Sequence, residues 1–128
     1  MTLNCNELHA FDSWLNRAVR EHLRSLLRYD SIDQIPFVSP TLSDDELVAY
    51  LHHDMEGPTS RRFRIDFVRP WRTTIYNRAA RGVFCHDFVR ALGEGQYSPP
   101  DPAWVLRATQ EQVGEALDSH IRYLRERL

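Results

Sequence analysis

Arginine is the residue with the most chemistry to offer in this chain. All sixteen basic residues are arginine and none is lysine. Eight of them (Arg61, Arg62, Arg64, Arg69, Arg72, Arg78, Arg81 and Arg90) fall between Gly57 and Gly93, opposed only by Asp66 and Asp87. The preceding stretch, Asp30 to Glu56, holds seven acids and no arginine, so a segment of formal charge −7 runs into one of +6. A guanidinium is planar, permanently charged and offers paired N–H groups, which suits phosphates and carboxylates alike. With Phe63, Phe67, Trp71 and Tyr76 interleaved, Arg61, Arg62, Arg64, Arg69, Arg72, Arg78 and Arg81 make a candidate nucleic-acid surface. Two other readings compete. The acidic segment is a ready intramolecular partner for the arginines, and Phe63 and Phe67 suit a core as well as a stacking platform. The chain is then a protein-interaction or self-association module.

Other chemistry is poorly supported. His52-His53-Asp54 and Cys85-His86-Asp87 are consecutive triplets. Adjacent helical residues point about 100° apart, so neither triplet converges on one ion, and the i, i+4 histidine spacing of a helical zinc site is absent. A buried thiol with surface histidines is the ordinary reading. There is no GxSxG elbow, Cys5 and Cys85 lack a partner motif, and the glycines are scattered at 57, 82, 93, 95 and 114 rather than gathered into a phosphate loop. The paired acids Asp44 and Asp45 fall in the first turn of a predicted helix, where its dipole favours negative charge. No cofactor or metal is implied, and a non-enzymatic binding domain is expected.

The elements that must position the arginines can be read in order. Asn4 and Glu7 form a capping-box start, after which Leu8, Phe11, Leu15, Val19, Leu23 and Leu26 recur at helical spacing, fading near Tyr29 or Asp30. Residues 30–42, with Pro36 and Pro40, read as a loop. Ser43 and Glu46 start a second, short helix carrying Leu47, Val48, Tyr50 and Leu51, stopped by Gly57-Pro58. Phe63, Ile65 and Phe67 then alternate with Arg62, Arg64 and Asp66, the period of an extended strand. One strand cannot form a sheet, so this piece is expected to lie across helices; pairing with a second copy of the chain is the alternative. A third helix follows Thr73 or Thr74 with Tyr76, Ala80, Val83, Phe84, Phe88 and Leu92 inward and Gly93 at its end. Asp101-Pro102 starts a fourth, carrying Val105, Thr109, Val113, Leu117, Ile121, Leu124 and Leu128. Gly114 weakens that helix and marks a close crossing. Trp14, Trp71 and Trp104 lie near helix ends or off the stripes and are read as edges of the core.

The expected fold is all-α: about four helices around one core, with an extended arginine-rich segment between the second and third. The 128 residues, 42% hydrophobic and 27% charged, suit a single domain over 1–128. No run approaches the ~20 apolar residues of a membrane span. Met1 to Glu7 lacks the basic flank and apolar core of a secretory signal, and two isolated cysteines fit a reducing compartment, nucleus or cytoplasm.

The second half also carries a resemblance. Phe63-Arg64-Ile65-Asp66, Pro70, Tyr76-Asn77-Arg78, Val83-Phe84, Phe88, Tyr97, Ala116-Leu117, His120-Ile121 and Leu124 together resemble a pattern in uncharacterised proteins of mushroom-forming fungi. There an FRID or FRVD segment precedes a proline and a helix starting with tryptophan, asparagine and a basic residue; here Tyr76 stands at the aromatic position. The resemblance spans roughly residues 61 to 128. It implies a fungal, intracellular protein without indicating an activity. It also implies that Asn77 and Asp66 are structural pins, Asp66 pairing with Arg62, Arg64 or an arginine of the third helix.

Overall fold

The computed structural model describes residues 2–128 and is all-α. Four helices of eight or more residues are present: α1 (Cys5–Leu27), α3 (Asp44–Leu51), α4 (Ile75–Gly93) and α6 (Gln110–Arg125). Two single-turn helices, α2 (Ile35–Val38) and α5 (Trp104–Arg107), lie in the connections. Helix α6 packs against both α1 and α4, and α1 also touches α4. Their inward stripes, including Val19, Leu23, Phe84, Phe88, Val113, Leu117 and Ile121, form one continuous core.

Helices α1, α3 and α6 start on side-chain caps, whereas Thr74 precedes α4 without a capping hydrogen bond from its side chain. The Asn4 side chain accepts from Glu7 N–H, and Ser43 with Glu46 forms the reciprocal capping box of α3. Helix α1 stops at Leu27 because Arg28 turns into the left-handed region (φ 62°), which tucks Tyr29 into the core. Leu8, expected on the inward stripe, is 40% exposed; Trp14, Ala18, His22 and Leu27 widen that stripe instead.

Several boundaries differ from expectation. The 30–42 stretch is not plain loop: Gln34 Oε1 accepts from the N–H groups of Asp30 and Ser31, closing a 3-10 turn, and Pro36 then fits the first turn of α2. Helix α3 ends at Leu51 rather than at Gly57, since His53 adopts φ 61°. Helix α4 runs through Gly93, and Gly95 (φ 93°) makes the reversal. Gly95 N–H donates to Leu92 O and Gln96 N–H to Ala91 O, a Schellman ending. The expected fourth helix is two. Asp101-Pro102 leads into α5, the chain breaks at Ala108, and Thr109 caps α6 by accepting from Gln112 N–H. Thr109 is therefore a cap rather than a stripe residue, and Leu128 lies 48% exposed beyond the helix.

Residues 62–67 run extended with Phe63, Ile65 and Phe67 inward, yet pair with no strand. Buried backbone polar groups must be satisfied, and here side chains do it. Ser39 Oγ donates to Ile65 O at 2.7 Å and accepts from Ile65 N–H at 2.8 Å. Asn77 Oδ1 accepts from Asp66 N–H at 2.9 Å, while its Nδ2 donates to Asp66 O at 2.9 Å and Pro70 O at 3.3 Å. Two side chains replace the neighbouring strands of a sheet, and they occupy the groups that a second copy would need at Ile65 and Asp66.

Candidate binding surface

The acidic segment closely pairs two of the eight arginines, Arg64 and Arg69. Glu46 binds the Arg64 guanidinium at 2.8 Å, and the same group donates to Pro40 O and Thr41 O. Arg69 bridges Asp66 at 2.8 Å and Asp44 at 2.9 Å. Asp45 and Asp54 take no arginine among the described residues. Asp66, itself buried, also accepts from Thr41, Leu42 N–H, Val68 N–H and Arg69 N–H. Burial alone would push its carboxyl up, but these donors hold it below the usual range. Its arginine is Arg69, three residues on, rather than Arg62, Arg64 or one from α4, because the turn after Asp66 folds Arg69 back over it.

Arg81 is equally committed. Its Nε and Nη2 donate to Asp118 at 2.8 and 3.1 Å, and Trp71 Nε1 donates to the same carboxylate at 2.8 Å. The guanidinium lies flat on Gly114: a Cβ there would come within 2.7 Å of Arg81 Cζ. What approaches Gly114 closely is thus the Arg81 side chain from α4 rather than the backbone of a crossing helix.

Of the seven arginines proposed as a surface, Arg64, Arg69 and Arg81 thus hold the fold together. Arg62 approaches Glu56 only at 3.9 Å with both side chains exposed, a pairing of little energetic weight. Arg72 is 72% exposed and reaches Asp118 at 3.4 Å. Arg61 and Arg78 are exposed and have no partner among the described residues. The interleaved aromatics Phe63, Phe67, Trp71 and Tyr76 are all buried and belong to the interior. Trp14 and Trp104 are buried too, packed around Phe11.

A cleft of about 540 Å³ opens between residues 67–73 and α6. Phe67, Pro70, Trp71 and Ile121 make its apolar floor, and Arg72, Arg122 and Arg125 stand at its rim beside one exposed acid, Glu126, whose carboxylate lies 4.0 Å from Arg127; Arg125 Nε donates to Phe67 O at 3.2 Å. Asp118 lies in its wall with its charge already taken by Arg81. A second depression, about 460 Å³, shares Phe67 and Arg125 with the first and continues over Pro36, Pro40, Val68 and Leu128. Val68 beside it is 72% exposed and Phe37 86%. Arg122 and Arg125 lie outside the +6 segment and were not singled out in the sequence. Their shared helix face with Asp118 and Ile121 (i, i+3, i+4, i+7) was the available signal.

The core holds a polar chain that was also missed. Tyr97 O–H donates to His22 Nδ1 at 2.8 Å, and His22 Nε2–H donates to Asp87 at 2.8 Å, with Phe84 and Phe88 edge-on to the imidazole. Trp14 Nε1 donates to Tyr97 O, pinning a residue with φ 57°. This arrangement ties residue 97 to α1 and α4. Cys85 is buried, which raises its thiol pKa, and His52, His53 and His86 are exposed. No three His, Cys, Asp or Glu side chains among the described residues come together at metal-binding distance. No helix among them is long and apolar enough to cross a membrane.

These groups set an expected acid response. Burial lowers the pKa of His22, and burial with Arg20 and Arg24 lowers that of His120 from 6.5 to about 4. A histidine kept neutral by folding stabilises the fold above its unfolded pKa, and that stability is lost as pH falls below it. Arg64, with the Ser43 backbone, lowers Glu46 from 4.5 to about 2, so its contribution is lost only below pH 4.5. Urea midpoints should therefore fall between pH 6.5 and 4, then more steeply below 4.5. In His120→Gln the first phase should shrink. A flat midpoint from pH 7 to 5 would contradict the neutral burial of both histidines.

What these features define is an all-α domain in which three of the seven candidate arginines are tied into the fold and one of whose openings is an arginine-rimmed cleft. Compared with models of protein families, with curated proteins and with solved structures, the chain matches none.

Proposed function

We propose that this is a non-enzymatic docking domain that takes an acidic, partly apolar segment of a partner protein in the cleft between residues 67–73 and α6. The observation that carries this reading is the rim of Arg72, Arg122 and Arg125 over a floor of Phe67, Pro70, Trp71 and Ile121. Apolar side chains of the partner would settle on the floor and in the adjoining depression, and its carboxylates would meet guanidiniums able to bind them in pairs. The arginines paired with the acidic segment would serve as scaffold. The two free thiols, exposed Cys5 and buried Cys85, favour an intracellular setting.

Nucleic-acid association is the second reading, favoured by the exposure of Arg61, Arg62, Arg72 and Arg78. It would rest mainly on phosphate contacts and fade steeply with salt. One titration separates the two. A fluorescein-labelled peptide alternating Glu and Leu, and DNA and RNA oligomers of similar length, are titrated with the protein at low and physiological salt. Saturable peptide binding that survives physiological salt supports docking. Oligomer binding alone, or no binding to the peptide at either salt, overturns it.

A further inference from the structure

On the opposite side of α6 from the cleft, at its junction with α1, lies a smaller pocket of about 230 Å³. Asn16 and Arg20 of α1 and Ser119, His120 and Tyr123 of α6 line it. Asn16 and Arg20 also line an adjoining depression with Ser13, Arg17, Arg24 and one acid, Glu21, so the two openings share one wall and three guanidiniums face a single carboxylate there. Arg17, Arg20 and Arg24 have no carboxylate within 4.0 Å among the described residues, whereas Arg64, Arg69, Arg81 and Arg90 each have one. Arg20 spends only its Nε, on Asn16 O at 3.3 Å, leaving both terminal nitrogens free.

The pocket wall contains a second anomaly. His120 Nε2 is buried and is the one such side-chain atom without a hydrogen-bond partner among the described residues. Buried polar atoms are nearly always satisfied, and an exception calls for a ligand, a water or a function. Its ring is held in place by stacking on Tyr123, which in turn carries the Arg127 guanidinium 3.4 Å from its ring centre. The charged groups acting on the imidazole are Arg20 and Arg24 from α1. Both disfavour a further positive charge, and an anion between them would reverse that effect.

We propose that this junction binds the phosphate group of a small soluble ligand, with Arg20 and Arg24 supplying charge and Asn16 and Ser119 neutral hydrogen bonds. A carboxylate is satisfied by one guanidinium, whereas several donors around a small pocket match the greater charge and three free oxygens of a phosphomonoester. Binding is linked to protonation of His120: phosphate offsets the two guanidiniums, and the imidazole takes up a proton at a higher pH than in the free protein.

The test is a titration of the full chain with inorganic phosphate and with glycerol 3-phosphate, against chloride at matched ionic strength, read by NMR. Saturable shifts at Ser119, His120 and the Arg20 side chain are expected at roughly millimolar ligand. The His120 ring should show a titration midpoint moved upward from about 4. Tighter binding of glycerol 3-phosphate assigns a monoester; tighter binding of inorganic phosphate assigns the free ion. Arg20→Gln and Arg24→Gln, exposed positions whose folding is checked by melting, should each weaken binding about tenfold, and Arg78→Gln should leave it unchanged. Shifts equal to those with chloride, or a double R20Q/R24Q variant that binds as the wild type does, would overturn the proposal.

Discussion

Replacing Asn77 by alanine should lower folding stability by about 3 kcal/mol, near the upper end for a single side chain. Asn77 is fully buried, and its amide makes three hydrogen bonds to the backbone of residues 66 and 70. Alanine strands the N–H and C=O of Asp66, a residue only 1% exposed, with no water to replace the lost partner. It also leaves a small cavity. For a domain of this size the melting temperature should drop by roughly 10 °C. Hydrogen exchange at the Asp66 amide should accelerate beyond what the global loss explains, because the extended segment loses half of its side-chain clamp. A loss below about 1 kcal/mol would mean that Asn77 is not the pin described above.

Removing the Asp118 carboxylate should be nearly as damaging for a different reason. It is the shared acceptor of Trp71, Arg81 and Arg72 and is itself buried. Burial would raise its pKa, and the Arg81 and Trp71 hydrogen bonds more than reverse that. Asp118→Ala leaves the Arg81 guanidinium against Gly114 with no counter-charge and strands Trp71 Nε1–H; with Arg81 about one-third exposed, the cost is expected at about 2–3 kcal/mol, below that of breaking a fully buried pair. Asp118→Asn keeps an acceptor for Trp71 and should fall between the two. The control is Arg78→Gln on α4, the helix that carries Arg81; it is exposed and without a partner among the described residues, and is expected within about 0.5 kcal/mol of the wild type. Urea unfolding of the three variants checks the ranking. Asp118→Ala close to R78Q would show that Arg81 is not structural.

The sequence was most readable where local physics decides. Asn4, Ser43 and their glutamates mark helix starts by hydrogen bonds spanning three residues, and the alternation of Phe63, Ile65 and Phe67 survives as one inward row. Less readable were positions where a distant side chain arbitrates. The break at Ala108 is one, since the stripe from Val105 to Leu124 keeps its period across it while Thr109 turns outward as a cap. Asp66 sits on the expected polar side of the extended segment but is buried, because Thr41, Leu42 and Arg69 supply its hydrogen bonds from three directions. The arginine-rich middle was conspicuous by composition, yet composition could not say that Arg64, Arg69 and Arg81 face Glu46, Asp44 and Asp118. Nor could it reveal the cleft, whose rim joins Arg72 to Arg122 and Arg125, fifty residues away in sequence.

The division of labour among the arginines can be put to one measurement: anisotropy of the labelled Glu-Leu peptide titrated with the wild type and with an R72Q/R122Q/R125Q variant shown by melting to be folded at the assay temperature. Loss of three rim contacts should weaken binding by about 100-fold, on the order of 1 kcal/mol for each guanidinium. Equal binding by the two proteins would contradict the assignment of the cleft.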